Sequence, residues 1–209
     1  PLTVLKGQIE VTLSRPRNSS EYEMKLRELL VQVERLIRLS NALLFMLRSD
    51  QNELSLDNES LNLQELLEVI VEQFQPLARE KELTINTEIS ADLPVYGDRD
   101  QLTRLFVNLL ENAVKYTPTG GLINIAAVKN AAWIQLTIHN SGLGISPEHI
   151  PHLFERFYRV DADRSSQTGG TGLGLAIALE IAHLHGGEIN VQRETGQGTT
   201  FTVRLPKQK

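Results

Sequence analysis

Residues Glu21 to Ser49 carry the pattern that most restricts the fold. Leu26, Leu30, Val33, Ile37, Ser40, Leu44 and Leu47 follow one another in alternating steps of four and three, the spacing of a seam along one side of a helix. Leu29, Leu36 and Leu43 widen the stripe, which suits a helical bundle better than a two-stranded coil. The preceding "PLTVLKGQIEVTL" reads as the tail of another helix, with "SRPRNSS" as the turn between them. Two such helices form an antiparallel hairpin too thin to bury its own stripe. The stripe is therefore expected to pair with a second copy; packing onto the rest of the chain is the other way to cover it.

Beyond the polar stretch "SDQNELSLDNESLN" the period changes. Leu63 to Glu80 is helical and "LTINTEI" alternates like a strand. Asp98 to Tyr116 is helical again. "GLINIAAVKN" and "AWIQLTIHN" form a hairpin about a short turn, "GGTGLGLAIALEIAHLHGG" is a glycine turn entering a helix, and "EINVQRE" with "TTFTVRLP" forms a last strand pair. The division is a helical hairpin at 1–52, a linker at 53–60 and a larger unit at 61–209. Because the strand pairs read as hairpins, the fold class is α+β: a two-layer sandwich of helices on one face of a mostly antiparallel sheet, preceded by the α-helical hairpin.

Bulk properties exclude several roles. A net charge of −5 disfavours general attraction to nucleic acid or an anionic membrane. The absence of cysteine removes disulfides and thiolate metal sites. No apolar run approaches the roughly 20 residues of a membrane span.

The helix "FVNLLENAVKYT" holds an unusual polar set. At about 100° per residue, Asn112 lies about 40° from Asn108, Lys115 about 20° to the other side, and Tyr116 about 80° away. These four share one face, beside the apolar face of Leu102, Leu105, Leu109 and Ala113, while Glu111 points to solvent. Alone, the asparagines read better as a pair of hydrogen-bonded residues at the border of a core. Their company changes the reading. "HNSGLGI" places Gly142 and Gly144 just after a strand, where a backbone can approach a ligand. "LFERFYRV" follows, then "GGTGLGLAIA", a glycine run that opens a helix and presents free N–H groups to an anion. Gly172-Leu173-Gly174 does not follow a strand, so a dinucleotide-binding fingerprint fails its context, and the P-loop spacing is absent.

Taken in order, the four stretches resemble the boxes of bacterial two-component sensor histidine kinases. "NLLENAVKYT" is similar to the N box, "NSGLGI" to the G1 box, "LFERFYRVD" to the F box and "GTGLGLAIA" to the G2 box. The resemblance covers nearly the whole chain. It implies a catalytic and ATP-binding domain with the Bergerat-type fold shared with gyrase and heat-shock chaperone ATPases, preceded by part of a dimerisation and phosphoacceptor hairpin. It also implies ATP and Mg²⁺ as cofactors, and Asn108, Lys115 and Arg159 as catalytic residues. The implied partners are a second copy, through the hairpin, and a response regulator receiver domain, with no nucleic acid and no membrane contact by this segment. The implied location is the cytoplasmic region of a membrane-anchored bacterial sensor.

Under the same resemblance, Asn112 offers its amide oxygen to Mg²⁺, a hard cation that accepts neutral oxygen ligands. Asn108 supports metal and phosphates, Lys115 meets a phosphate, and Tyr116 packs on the adenine side. Where the related ATPases carry a water-activating glutamate, this chain has Asn108, which cannot take a proton; general-base help is worth roughly 10²–10⁴-fold, so hydrolysis is disfavoured relative to transfer. The family's adenine-reading aspartate is replaced by Asn140, which still accepts a hydrogen bond but without charge. Gly142, Gly144 and Ile145 line the same end. Thr199, in phase with Phe201, Val203 and Leu205, is expected to face inward and help read adenine. Arg159 reaches the γ-phosphate, while Phe154 and Phe157 are expected as core anchors. "DADRSSQTGG" is expected as a mobile lid, with Gly170, Thr171, Gly172, Leu173, Gly174 and Leu175 wrapping the phosphates.

None of the five histidines has metal-ligand spacing, and His183 and His185 suit a helix C-terminus. In the family the acceptor reads His-Glu-x-x-Thr-Pro-Leu, so Pro1-Leu2 resembles its end and the acceptor histidine is expected just before residue 1. Two other function classes remain open: a nucleotide-binding dimerisation module of a degenerate kinase, and an ATP-hydrolysing conformational switch. Neither the stimulus nor the cognate regulator is legible.

Overall fold

A computed structural model describes residues 2–51, 53–160, 171–194 and 198–207. Among the described residues, those from Ser55 to Val160 together with those from Gly172 onward form one compact unit, separate from the helical unit that ends at Leu54.

The first unit holds α1 (Leu2–Leu13) and α2 (Ser19–Asp50). Arg17 closes α1 by donating from Nε to the Thr12 carbonyl at 3.2 Å and from its terminal nitrogen to Val11 at 3.0 Å. Asn18 opens α2. Its Oδ1 accepts from the Glu21 N–H at 2.8 Å, and its Nδ2 donates to the Glu21 carboxylate at 3.2 Å, a close relative of the capping box. Leu26, Leu30, Val33, Ile37, Leu44 and Leu47 of the seam are all exposed.

The second unit runs β1 (Asn58–Asn62), α3 (Leu63–Glu80), β2 (Thr84–Ile89), β3 (Pro94–Asp98), α4 (Arg99–Tyr116), β4 (Leu122–Lys129), β5 (Trp133–Asn140), a 3-10 turn at Pro147–His152, α5 (Gly174–Leu184), β6 (Glu188–Glu194) and β7 (Gly198–Pro206). Five strands form one sheet in the order β2-β4-β5-β7-β6, and β1 pairs with β3 in a separate two-stranded ribbon. Alternation sorts the sheet into two faces. Ile123, Ile125 and Ala127 of β4, Ile134, Leu136 and Ile138 of β5, and Phe201, Val203 and Leu205 of β7 are buried, while the residues between them are at least partly exposed. The helices supply the other side of the core: Leu66, Leu67, Ile70 and Phe74 from α3, Leu102, Leu105, Phe106 and Leu109 from α4, and Ile177, Ala178 and Ile181 from α5. This is the expected α+β sandwich of helices on a sheet.

Two expectations require correction. Strand pairs were all read as hairpins, but β2 runs parallel to β4, with Thr84 opposite Leu122 and Ile89 opposite Ala127. The intervening α4 carries the chain back across the sheet, which a parallel pair requires. The stretch read as linker at 53–60 already contains the start of β1, whose Asn58 stands opposite Asp98 and whose Leu61 stands opposite Val95. Its sequence, "NESLN", buries only Leu61, too little alternation to announce a strand.

The beginning of α4 is held from three directions. Asp98 accepts from the Gln101 N–H at 3.0 Å through Oδ1 and from the Asp57 N–H at 3.1 Å through Oδ2. Its own N–H donates to His185 Nε2 at 3.0 Å, and His185 Nδ1 donates to the Ile181 carbonyl at 2.8 Å. A backbone N–H only donates and a carbonyl only accepts, so the imidazole is neutral here with its proton on Nδ1. The apolar face at the middle of α4 is fully buried, with Leu105, Phe106 and Leu109 at 0% exposure. Leu109 is fully buried between the two asparagines, and Leu109→Ala is expected to destabilise the unit by about 2–5 kcal/mol, read as a fall in the urea midpoint at constant slope.

Candidate functional site

The polar face of α4 emerges beside its core face, as the helical wheel requires. Asn108, Asn112 and Lys115 are half-buried, Glu111 is exposed, and Tyr116 is 62% exposed. Lys115 Nζ lies 4.9 Å from the centre of the Tyr116 ring, within cation–π range. The same face extends back to Arg104, whose pKa burial lowers from its usual value, and to Gln101; sequence reading had stopped at Asn108. Among the described residues, Gln101 Oε1 and Asn108 Nδ2 are the buried side-chain atoms with no hydrogen-bond partner. Such atoms are uncommon in a native interior and call for a reason.

Asn108 faces the start of α5. A Cβ placed on Gly174 would lie 3.1 Å from Asn108 Oδ1. Leu173, the N-cap residue of α5, makes no side-chain cap, so the positive dipole end of the helix is not closed by its own N-cap side chain. Leu173 is buried, Leu175 is half-buried, and Thr171, also half-buried, is the first described residue after the masked stretch. Gly170 and the expected lid fall outside the described residues.

The F box meets the G2 box through backbone. Phe157 N–H donates to the Gly172 carbonyl at 2.9 Å, and a Cβ on Gly172 would stand 2.7 Å from the Phe157 carbonyl carbon. Phe157 adopts φ +67° and is 54% exposed, while Phe154 is half-buried. The expected core anchor is thus corrected: it is the Phe157 main chain that makes this contact, and the unusual φ leaves the ring outside. Arg159 is half-buried. The neighbouring Tyr158 hydroxyl is 2.7 Å from His149 Nδ1.

The other end of the site is built by strands. Asn140 ends β5 and stands opposite Thr199 of β7 and Ile123 of β4. Asn140 is 6% exposed and Thr199 4%, and both lie in phase with the buried face of the sheet, as expected for Thr199. Past Asn140, the Ser141 hydroxyl accepts from the Leu122 N–H at 2.8 Å. A Cβ on Gly142 would approach the Tyr116 carbonyl to 3.3 Å. Gly144 follows, and the half-buried Ile145 accepts from Arg193 at 3.1 Å through its carbonyl.

Sequence reading missed two supports. Lys81 Nζ donates to the carbonyls of Val114 at 2.7 Å and Lys115 at 3.2 Å, placing a cation on the negative end of α4. Gly198, with φ +117°, lets β7 begin against the Asn140 main chain, where any Cβ would collide with the Asn140 carbonyl. The glycine of "TGQG" was the available signal for the second. Nothing local announces the first, because the contact spans more than thirty residues.

No group of three His, Cys, Asp or Glu among the described residues is placed to hold a metal ion. A neutral amide such as Asn112 fits a different kind of site, one for an ion that keeps several waters and arrives with phosphates. No described helix is long and apolar enough to cross a membrane.

The arrangement is an α+β layer in which polar groups of one helix face the start of another, with Asn140 and Thr199 side by side at a strand end. The chain belongs to the histidine kinase-, DNA gyrase B- and HSP90-like ATPase family, which it matches over residues 97–209. It is 36% identical over 211 residues to the sensor histidine kinase RppB of Synechocystis sp., an alignment covering 99% of this chain and 46% of RppB; it therefore spans less than half of that relative. In fold it is similar to the histidine kinase AdeS of Acinetobacter baumannii, with a TM-score of 0.82 at 23% identity over 100% of this chain and 96% of that one. It is also similar to full-length ShkA in complex with AMPPNP, with a TM-score of 0.79 at 25% identity over 99% of this chain and 44% of that one.

Gly172→Ala tests the junction of the two boxes. With φ +72° and the Phe157 main chain in the way, the variant is expected to lose about 1–3 kcal/mol and to speed hydrogen exchange at the Phe157 amide.

Proposed function

We propose that this chain is the kinase core of a two-component sensor histidine kinase, which binds Mg·ATP and passes the γ-phosphate to a histidine for relay to a receiver-domain aspartate. The observation that carries the reading is the buried, unpartnered Nδ2 of Asn108 beside the uncapped start of α5. A polyanion placed there would meet both the amide and the positive end of the helix dipole at once. Kinship to RppB and the AMPPNP held by ShkA point the same way.

In this reading α5 and Asn108 hold the phosphates, Lys115 supplies a second charge, and Arg159 meets the charge that spreads over the γ-phosphoryl oxygens during transfer. Mg²⁺ held by Asn112 would neutralise the phosphates. Gly142, Gly144 and Ile145 border the base, which Asn140 and Thr199 read. Tyr116 covers the adenine side, and the segment Gly170 to Leu175 wraps the phosphates. No carboxylate stands at Asn108, so water is not activated and transfer is favoured over hydrolysis. The exposed seam on α2 pairs with that of a second copy, and sedimentation at a monomer mass would count against this pairing. The whole sensor would be membrane-anchored with this part in the cytoplasm.

Two measurements test the reading. Asn112→Ala is expected to abolish the Mg²⁺-dependent part of ATP affinity in calorimetry while leaving the melting transition in place; an unchanged Mg²⁺ dependence would remove Asn112 from the site. Incubation with γ-labelled ATP and a separate hairpin carrying a complete acceptor box is expected to give acid-labile label on that hairpin. Binding without transfer would favour the degenerate module, and release of free phosphate at a high rate would favour the hydrolytic switch.

A further inference from the structure

Asn140 and Thr199 stand side by side across β5 and β7, each more than nine-tenths buried, and both retain unused hydrogen-bonding capacity. The one hydrogen bond of the Asn140 side chain runs from Nδ2 to the Ser141 carbonyl at 3.4 Å, the outer limit for such a bond. Its second Nδ2 hydrogen and its Oδ1 engage no described group. Thr199 Oγ1 likewise has no partner among the described residues. Neither Asn140 Oδ1 nor Thr199 Oγ1 is among the fully sealed unpartnered atoms of the described residues, which are Gln101 Oε1 and Asn108 Nδ2, so the pair remains within reach of something polar.

Its chemistry is two-sided. A carboxamide carries a donor and an acceptor, and a hydroxyl donates or accepts according to its rotation. The Watson–Crick edge of adenine donates from its 6-amino group and accepts at N1. A 6-oxopurine reverses both: the 6-oxygen accepts and N1–H donates. A carboxylate at position 140 would suit only adenine, because it accepts at both oxygens and sets its charge against the lone pairs of a 6-oxygen. An amide beside a hydroxyl meets either edge with no buried group left unpaired. We infer that this site takes 6-oxopurine nucleoside triphosphates as well as ATP, with Asn140 as the residue that sets the selectivity. The inference rests on the nucleotide-binding reading and deepens it.

The discriminating probe is ITP, whose hypoxanthine carries the 6-oxo edge without a 2-amino group. Calorimetric titrations of the whole chain with ATP and with ITP, each with Mg²⁺, are compared for wild type and Asn140→Asp, and a thermal melt checks that the variant is folded. Wild type is expected to bind the two nucleotides within about tenfold of each other. Asn140→Asp is expected to shift the ratio toward ATP by about tenfold or more, the discrimination that one unpaired buried polar group produces. A wider gap in wild type overturns the inference, and that arm needs no variant. So does a ratio that Asn140→Asp leaves unchanged. Failure of ATP itself to bind overturns the underlying reading and this inference with it, whereas binding of ATP with exclusion of ITP overturns the inference alone.

Discussion

Asp98 holds together three parts of the second unit. Its carboxylate caps α4 and anchors the main chain at Asp57, and its own N–H reaches His185 beyond the end of α5. Removing the side chain would leave two backbone donors without an acceptor in a nearly closed position, where each costs about 1–3 kcal/mol. Gly97 is part of the same arrangement, since a Cβ there would stand 2.6 Å from the His185 ring. At the far end of α4, the Lys81 ammonium engages two carbonyls of the last turn and Thr117 closes the helix onto Ala113. With both ends fixed and the apolar face filled by Leu102, Leu105, Phe106 and Leu109, the side chains on the polar face project from a rigid support. Sites carried on such elements keep tighter geometry than sites carried on loops.

The candidate site consists largely of groups that the fold itself leaves incomplete. Asn108 keeps a buried amide hydrogen pair without an acceptor, α5 begins without a side-chain cap from its N-cap residue, and Asn140 and Thr199 end the buried face of the sheet with polar atoms where their same-face neighbours Ile138 and Phe201 are apolar. Each places polar character where a fully apolar interior would be more stable. Their grouping at the end of the helix–sheet layer concentrates that loss in one place, which is the arrangement expected when stability yields to binding.

Much of this was legible in the sequence because it rests on periodicity. The face shared by Asn108, Asn112 and Lys115 follows from helical geometry, and the inward turn of Thr199 follows from its phase with Phe201. The bounds of α3 were read as they stand, since Leu63 to Glu80 has a strong apolar stripe. What escaped reading depends on distant partners. β1 and β3 are each five residues long, and their pairing is fixed by tertiary neighbours. The parallel register of β2 was hidden because strand alternation carries no direction. His185 was expected at a helix end, but its link to Asp98 joins residues far apart in the chain. Phe157 misled because an aromatic residue in a motif suggests burial, whereas a positive φ at that residue turns the ring outward.

The hydrogen bond between the Phe157 amide and the Gly172 carbonyl has a topological consequence. It brings the two ends of the intervening chain to a single point on the unit, so the entropy of closing that loop is already spent in the fold, whatever its middle does. Closure entropy rises only with the logarithm of length, by roughly 0.6 kcal/mol for each doubling. The segment between these residues could therefore lengthen or shorten considerably with little effect on global stability. As far as stability goes, its length is only weakly constrained, while the glycine at its far end is fixed by the Phe157 main chain.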